Sequence, residues 1–194
     1  QLFSGKEVSA SVYESLTPKI QALKSKGITP GLAVILVGDD PASAVYVRSK
    51  TRKFASLDLF SETIRFDSDI SQEDLILKIQ DLNVDNRFHG ILVQFPLPKH
   101  IDEGSIISLI DPVKDVDGFH PENVGYLTGG NPRFIPCTPK GIMRILSFYG
   151  VELSGKHVVI IGRSNIVGRP VSILTSLKKS FSNATTTICH SGTQ

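Results

Sequence analysis

Apolar positions change period several times along the chain, and each change marks an element. Val8, Val12, Leu16, Ile20 and Leu23 recur at steps of four and three, which predicts an amphipathic helix closed by Gly27 and kinked at Pro18. Residues 32–37 are continuously apolar instead, the pattern of a strand covered on both faces. Asp40 can cap and Pro41 suits a first helical turn, so a helix is expected over residues 42–56. A second strand is expected at residues 63–66. Ser71 with Asp74 makes a capping-box pattern ahead of Leu75, Ile76 and Ile79, which predicts another helix, and residues 90–94 read as the third strand. Strands that alternate with helices imply an α/β fold with parallel pairing and right-handed crossovers.

Residues 95–136 interrupt this alternation. The segment is rich in proline, glycine and aspartate, with one short helix expected at residues 103–110, and loops this long in compact domains usually serve function. Thr138 and Pro139 then cap and start a helix that runs to Tyr149 and ends at Gly150. The domain boundary is expected between residues 138 and 155, with residues 1–140 as a first domain and 141–194 as a second. The second opens on GKHVVIIGRSNIVGRP, where a buried-type strand at residues 158–161 meets a glycine turn and a helix from about Val167. Gly162 permits the tight turn, Gly168 permits close approach of helix and strand, and free N–H groups at a helix start favour negative charge. Ser164 and Val167 replace two glycines of the G-x-G-x-x-G pattern, so the motif is either a phosphate turn or a plain connection. After a further strand at residues 185–189 a nucleotide-binding half still needs a third strand, so more of this domain is expected outside the sequence.

Composition narrows the function classes. Hydrophobic residues make up 40% and charged residues 21% of the 194, as in ordinary globular proteins, and 21 basic against 19 acidic residues leave a formal charge of +2. Such a balance argues against a nucleic-acid partner. The longest apolar run, residues 32–37, is too short to cross a bilayer, so no membrane partner is expected. The opening QLFSGKEV lacks the apolar stretch of a secretory signal, and the absence of an initiator methionine points to cut ends. Cys137 and Cys189 lie far apart with no C-x-x-C, which fits a reducing compartment.

Several residue groups could carry chemistry. Ser43, Tyr46 and Lys50 fall on one helical face, where a phenol and an ammonium one turn apart can pass a proton or flank a reacting atom. The plain alternative is a half-buried tyrosine beside a solvated lysine. Arg48, Arg52 and Lys53 are expected to crowd the same two turns, and like charges nearby favour the neutral amine. Gln94 ends the third strand, where ligands sit in α/β sheets, and its neutral amide can orient a lysine without neutralising it. Lys114, Asp115, Asp117 and His120 cluster in PVKDVDGFHP, but the remaining ligands of a calcium loop are missing and the histidines show no zinc spacing, so no metal is expected.

In order along the chain, VYVRSK preceded by Ser43, HGILVQFPLP, PVKDVDGFHPENVGYL, FIPCTPKGIM, GRSNIVGRP and ATTTICHS resemble the bifunctional methylenetetrahydrofolate dehydrogenase/cyclohydrolase family, over nearly all of the 194 residues. Short-chain dehydrogenases also use Y-x-x-x-K, but after their nucleotide unit. The resemblance implies an N-terminal three-strand α/β catalytic domain followed by an incomplete Rossmann-type dinucleotide-binding domain. It makes Lys50 the catalytic lysine, Tyr46 its neighbour against the folate ring, Gln94 the residue that positions Lys50, Asp117 the carboxylate on the pterin and Ser43 a substrate-side serine. Gly162, Arg163, Ser164 and Ile166 match the cofactor turn, and Ser191 matches the serine at the end of the next strand. A folate substrate, a homodimer and a cytoplasmic setting are also implied. The link LKKSFSNA is longer than the family's usual one, and the family's last folate-side block and final helix are not in the sequence.

The cofactor expected is NADP. The strand at residues 185–189 ends in His190 and Ser191 with no carboxylate for a ribose hydroxyl, and Arg163 follows Gly162 directly. Arg163 could instead pair with a surface carboxylate. A non-catalytic nucleotide-binding or regulatory module of the same fold is the rival to an enzyme.

Overall fold

The computed structural model describes residues 2–194, which divide into two compact units. One is Ser15–Val116; the other joins residues 2–14 to Asp117–Gln194. Helix α1 (Gly5–Lys24) takes in residues of both and carries Pro18 inside it. Among the described residues no helix is long and apolar enough to cross a membrane.

In the first unit β1 (Gly31–Val37) leads into α2 (Pro41–Ser56), β2 (Phe60–Phe66), α3 (Gln72–Val84), β3 (Gly90–Val93) and α4 (Glu103–Leu109). The sheet is parallel with order β2-β1-β3, and every residue of β1 is buried. Ala33, Ile35 and Val37 pack with Leu75, Ile79 and Leu82 of α3 and Ile106 of α4, while Leu32, Val34 and Leu36 pack with Val47 of α2. Successive strand residues point to opposite faces, so helices on both sides require a continuously apolar strand. β2 starts earlier than expected, at Phe60, because its register runs in parallel from Gly31↔Phe60 to Val37↔Phe66. Its pairing, not its composition, sets its length.

Caps start the helices as the residues suggest. The Asp40 carboxylate accepts from the Ser43 N–H at 2.7 Å; that bond, followed by one with the Ser43 side chain, holds the Asp40 carboxyl below the usual carboxylate range. Ser71 accepts from the Asp74 N–H at 3.0 Å. Beyond α4, Lys114 Nζ donates to the Leu82 and Asp85 carbonyls at 3.1 and 2.9 Å, so its charge caps the C-terminus of α3. The neighbouring Ile91↔Asp115 bridge adds this segment to the sheet edge.

The second unit contains a helix absent from the sequence expectation, α5 (Pro121–Thr128). Its cap is the His120 ring, whose Nδ1 accepts from the Glu122 N–H at 3.1 Å, and histidine is outside the usual capping set. α6 (Cys137–Phe148) starts one residue before Thr138, after Pro136 and with no side-chain cap, so Thr138 sits in the first turn and does not cap it. The Tyr149 hydroxyl accepts from the Ser4 N–H at 2.7 Å and its ring stacks on Phe3 at 4.7 Å, which ties the first residues to this unit.

β4 (His157–Ile161), α7 (Gly168–Ser176) and β5 (Thr185–Cys189) complete the unit, with β4 and β5 parallel in the register His157↔Thr185 to Ile161↔Cys189. The expectation of a buried strand fails here. Thr175 of α7 meets Thr186 through their hydroxyls at 3.1 Å, so α7 covers the face of Val158 and Ile160. Val159 and Ile161 lie on the other face, 54% and 90% exposed, because no described helix covers it.

Candidate functional site

The lysine group is built by α2. Val47 and Ser43 are buried, so α2 presses one stripe onto the sheet, and Tyr46 and Lys50 flank that stripe toward solvent, Tyr46 being 63% exposed. Each helical residue turns by about 100°, which sends Arg48 and Arg52 to the opposite side. There, with Val45, Ser49, Lys53 and Ser56, they line an open groove. Of the cations expected to crowd Lys50, Arg48 and Arg52 therefore turn away from it.

Gln94 meets Lys50 instead. Its backbone N–H donates to the Ile35 carbonyl at 2.9 Å, one residue beyond β3, which places the side chain at the end of the central strand pair. Its Nε2 donates to the Phe95 carbonyl at 3.0 Å, which turns Oε1 toward Lys50 Nζ at 3.2 Å. That backbone anchor could not be anticipated from residue types. Among the described residues Lys50 has no ion-pair partner. A held but unneutralised ammonium with N–H groups to spare can deliver and recover a proton.

Asp117 lies in the other unit. It is half-buried and follows directly on the segment anchored by Lys114 and the Ile91↔Asp115 bridge. Lys114, singled out with Asp117 by sequence, is thus absorbed by the α3 cap. Among the described residues no group of three or more histidine, cysteine or acidic side chains could hold a metal ion.

The glycine turn between β4 and α7 has two features that glycine alone permits. Gly162 has φ 129° and donates its N–H to the Cys189 carbonyl at 2.7 Å. A Cβ on Gly168 would lie 2.2 Å from the Gly162 carbonyl oxygen, so helix and turn touch backbone to backbone. Ser164 Oγ accepts from the Val167 and Gly168 N–H groups at 3.1 and 3.3 Å, and its carbonyl accepts from Arg169 N–H at 3.0 Å. The donors at the helix start, expected to be free, are therefore taken by Ser164. Those left without an acceptor among the described residues are the four successive N–H groups of Arg163, Ser164, Asn165 and Ile166, donors that an anion can take. Gly168→Val should cost roughly 1–3 kcal/mol or more, because a backbone carbonyl cannot step aside as a side chain can. Thermal melts check this, and an unchanged Tm would show that the turn relaxes freely.

Arg163 has no salt bridge among the described residues; its Nη1 lies 3.3 Å from His190 Nε2. Ser191 follows, exposed, beyond the end of β5. His190 was not among the expected site residues, although its position next to Ser191 was a signal.

Residues 3–117 match the family model described as tetrahydrofolate dehydrogenase/cyclohydrolase, catalytic domain, and residues 136–194 match the NAD(P)-binding domain of the same enzymes. A bifunctional protein FolD of Streptococcus pyogenes is 54% identical over 195 residues, an alignment that takes in 100% of this chain and 67% of the relative. The crystal structure of the bifunctional FolD methylenetetrahydrofolate dehydrogenase/cyclohydrolase of Campylobacter jejuni superposes with a TM-score of 0.94 at 48% identity, over 100% of this chain and 68% of that one. The Trypanosoma brucei methylenetetrahydrofolate dehydrogenase-cyclohydrolase, solved with NADP and an inhibitor, gives 0.90 at 37% identity over 97% of this chain and 64% of that one. The chain thus spans about two thirds of the length of such relatives. Matches that run through both of its halves place it, by sequence and by fold together, in the tetrahydrofolate dehydrogenase/cyclohydrolase family.

Proposed function

We propose that this protein oxidises 5,10-methylenetetrahydrofolate to the 5,10-methenyl compound with NADP, and hydrolyses that product to 10-formyltetrahydrofolate. Family membership supports both activities. The assignment of residues is carried by one observation, the bond from Lys50 Nζ to Gln94 Oε1 at 3.2 Å. The four open N–H groups and the bare glycine contact fit a cofactor phosphate, which Gly162, Arg163, Ser164 and Ile166 would hold together with Ser191. NADP, when bound, supplies the hydride acceptor. In this reading residues 1–140 form the folate-binding catalytic part and residues 141–194 contribute to the cofactor domain.

Loss of hydride from the one-carbon bridge leaves a cation that its two flanking nitrogens stabilise, so the oxidation asks the protein mainly for positioning. Tyr46 offers an exposed ring for the folate ring to lie against, and Ser43, one turn earlier, is buried in the stripe beside it. Hydration is different. Water adds to the cationic carbon and gives up a proton, and the ring opens when the C–N bond breaks and the nitrogen takes a proton up. Lys50 carries that proton, with Gln94 holding the amine and leaving its charge in place.

Asp117 is the carboxylate that would accept from the N–H edge of the pterin. Asp117→Asn should weaken folate binding roughly ten- to a hundredfold, since a hydrogen bond to a charged group contributes about 1.5–3 kcal/mol. An unchanged folate dissociation constant would remove Asp117 from the site. A homodimer in the cytoplasm completes the proposal; the family resemblance supports the first, and two separated free cysteines fit the second.

Assaying the full-length protein for NADP-dependent formation of the methenyl compound and for its hydrolysis tests the whole reading. Loss of neither substrate would leave the non-catalytic nucleotide-binding module.

A further inference from the structure

We propose that the second unit holds a further binding site, for a small carboxylate on an apolar body, in the cleft between α6 and the link from α7 to β5. It does not depend on the folate or NADP assignments. The cleft has a volume of about 350 Å³, in the range of small-molecule pockets. Lys140, Met143, Arg144 and Ser147 line one side of it, at the i, i+3, i+4 and i+7 positions that share one face of α6. Leu177 and residues 179–182 of the link supply the other side, and the buried Leu174 of α7 lines it as well. The link is LKKSFSNA, the stretch in which this chain exceeds its family's usual length.

A loop makes a binding wall only if it is held, and this one is. Asn183 N–H donates to the Leu177 carbonyl at 2.8 Å and closes the loop, Phe181 N–H donates to Glu152 Oε1 at 3.1 Å, and Lys179 Nζ donates to the Gly130 carbonyl at 2.6 Å. These bonds keep Phe181 in the left-handed conformation, φ 58°, which a bulky side chain seldom adopts. The wall is therefore formed without a ligand.

Its chemistry selects an anion with an apolar body. Lys179 is engaged by its anchor, but Lys140 and Arg144 are in no salt bridge among the described residues, and Arg144 makes only a long contact with Ser11 Oγ, at 3.4 Å. No residue that lines the cleft is acidic, so nothing there neutralises the two charges. Ser147 Oγ donates to the Arg144 carbonyl at 3.1 Å, whereas the Ser180 and Ser182 hydroxyls have no hydrogen-bond partner among the described residues. Ser182 is only 5% exposed, and a buried hydroxyl left unpaired is unfavourable. A carboxylate accepts from hydroxyl, ammonium and guanidinium alike. Leu174, Leu177 and Met143 offer hydrocarbon beside these donors, which an inorganic anion would leave uncovered and an apolar ring would cover.

The test is calorimetric titration of the full-length protein with 1-naphthoate and with its neutral counterpart 1-naphthamide, with and without excess NADP. The naphthoate is expected to bind in both conditions, and the naphthamide roughly tenfold or more weakly, the contribution of one charged hydrogen bond. Lys140→Gln with Arg144→Gln, a double change at exposed positions that should leave Tm unaltered, is expected to remove roughly tenfold or more of the naphthoate affinity. The naphthoate should also shift the methyl resonance of Met143, the one methionine among the 194 residues, through the ring current of a stacked aromatic. No binding of the naphthoate, equal binding of the naphthamide, or an affinity that the double variant leaves unchanged overturns the site. Competition by NADP, or binding that leaves the Met143 methyl unshifted, places the ligand elsewhere and overturns it too.

Discussion

Lys50→Met is expected to abolish hydrolysis of methenyltetrahydrofolate while hydride transfer remains measurable. Methionine keeps most of the apolar stem and removes the ammonium that donates to Gln94 Oε1, so α2 keeps its stripe against the sheet and only the proton carrier is lost. A positioned acid or base contributes about 10²- to 10⁴-fold, which is the loss expected in the hydrolytic rate. The oxidation moves a hydride and leaves a cation stabilised by its own nitrogens, so it has no comparable need for a titratable group. Stopped-flow measurement of both steps in the full-length variant, with substrate affinity measured alongside, decides the matter. Equal loss of the two activities with binding intact would refute this division of labour.

The second large effect is expected from Arg163→Ala, which should erase the preference for NADP over NAD. Its guanidinium stands beside the glycine turn without a salt bridge among the described residues, so its charge is uncommitted there. Removing a charged hydrogen-bond partner costs about 1.5–3 kcal/mol, or roughly ten- to a hundredfold in NADP affinity. NAD affinity should stay within about twofold, since a plain ribose gives the guanidinium no anion to grip. Competitive titration of the two cofactors measures the ratio directly. A native preference for NAD, or indifference to the substitution, would show that the strand end was misread.

Much of this protein is determined locally. The period of the apolar residues, the Asp40 and Ser71 caps and the continuous run in β1 suffice to place the first unit's strands and helices in order, because caps and periodicity are properties of neighbouring residues. The same holds for Lys50 and Gln94 as candidates, and for the Gly162 and Gly168 positions. Family membership was legible too, since it rests on blocks of residues in a fixed order.

Tertiary structure decided what depends on partners distant in the chain. The start of β2 follows its register with β1, the exposure of Val159 and Ile161 follows from which face α7 covers, and α5 forms behind a histidine cap that local statistics disfavour. The Gln94 Oε1 meets Lys50 Nζ only because the fold brings together residues 44 positions apart. The contact of Arg163 with His190 joins residues 27 positions apart. Residue types state which hydrogen bonds a side chain is able to make; only the folded chain, by bringing distant donors and acceptors within reach, determines which are made and which are left over for a ligand.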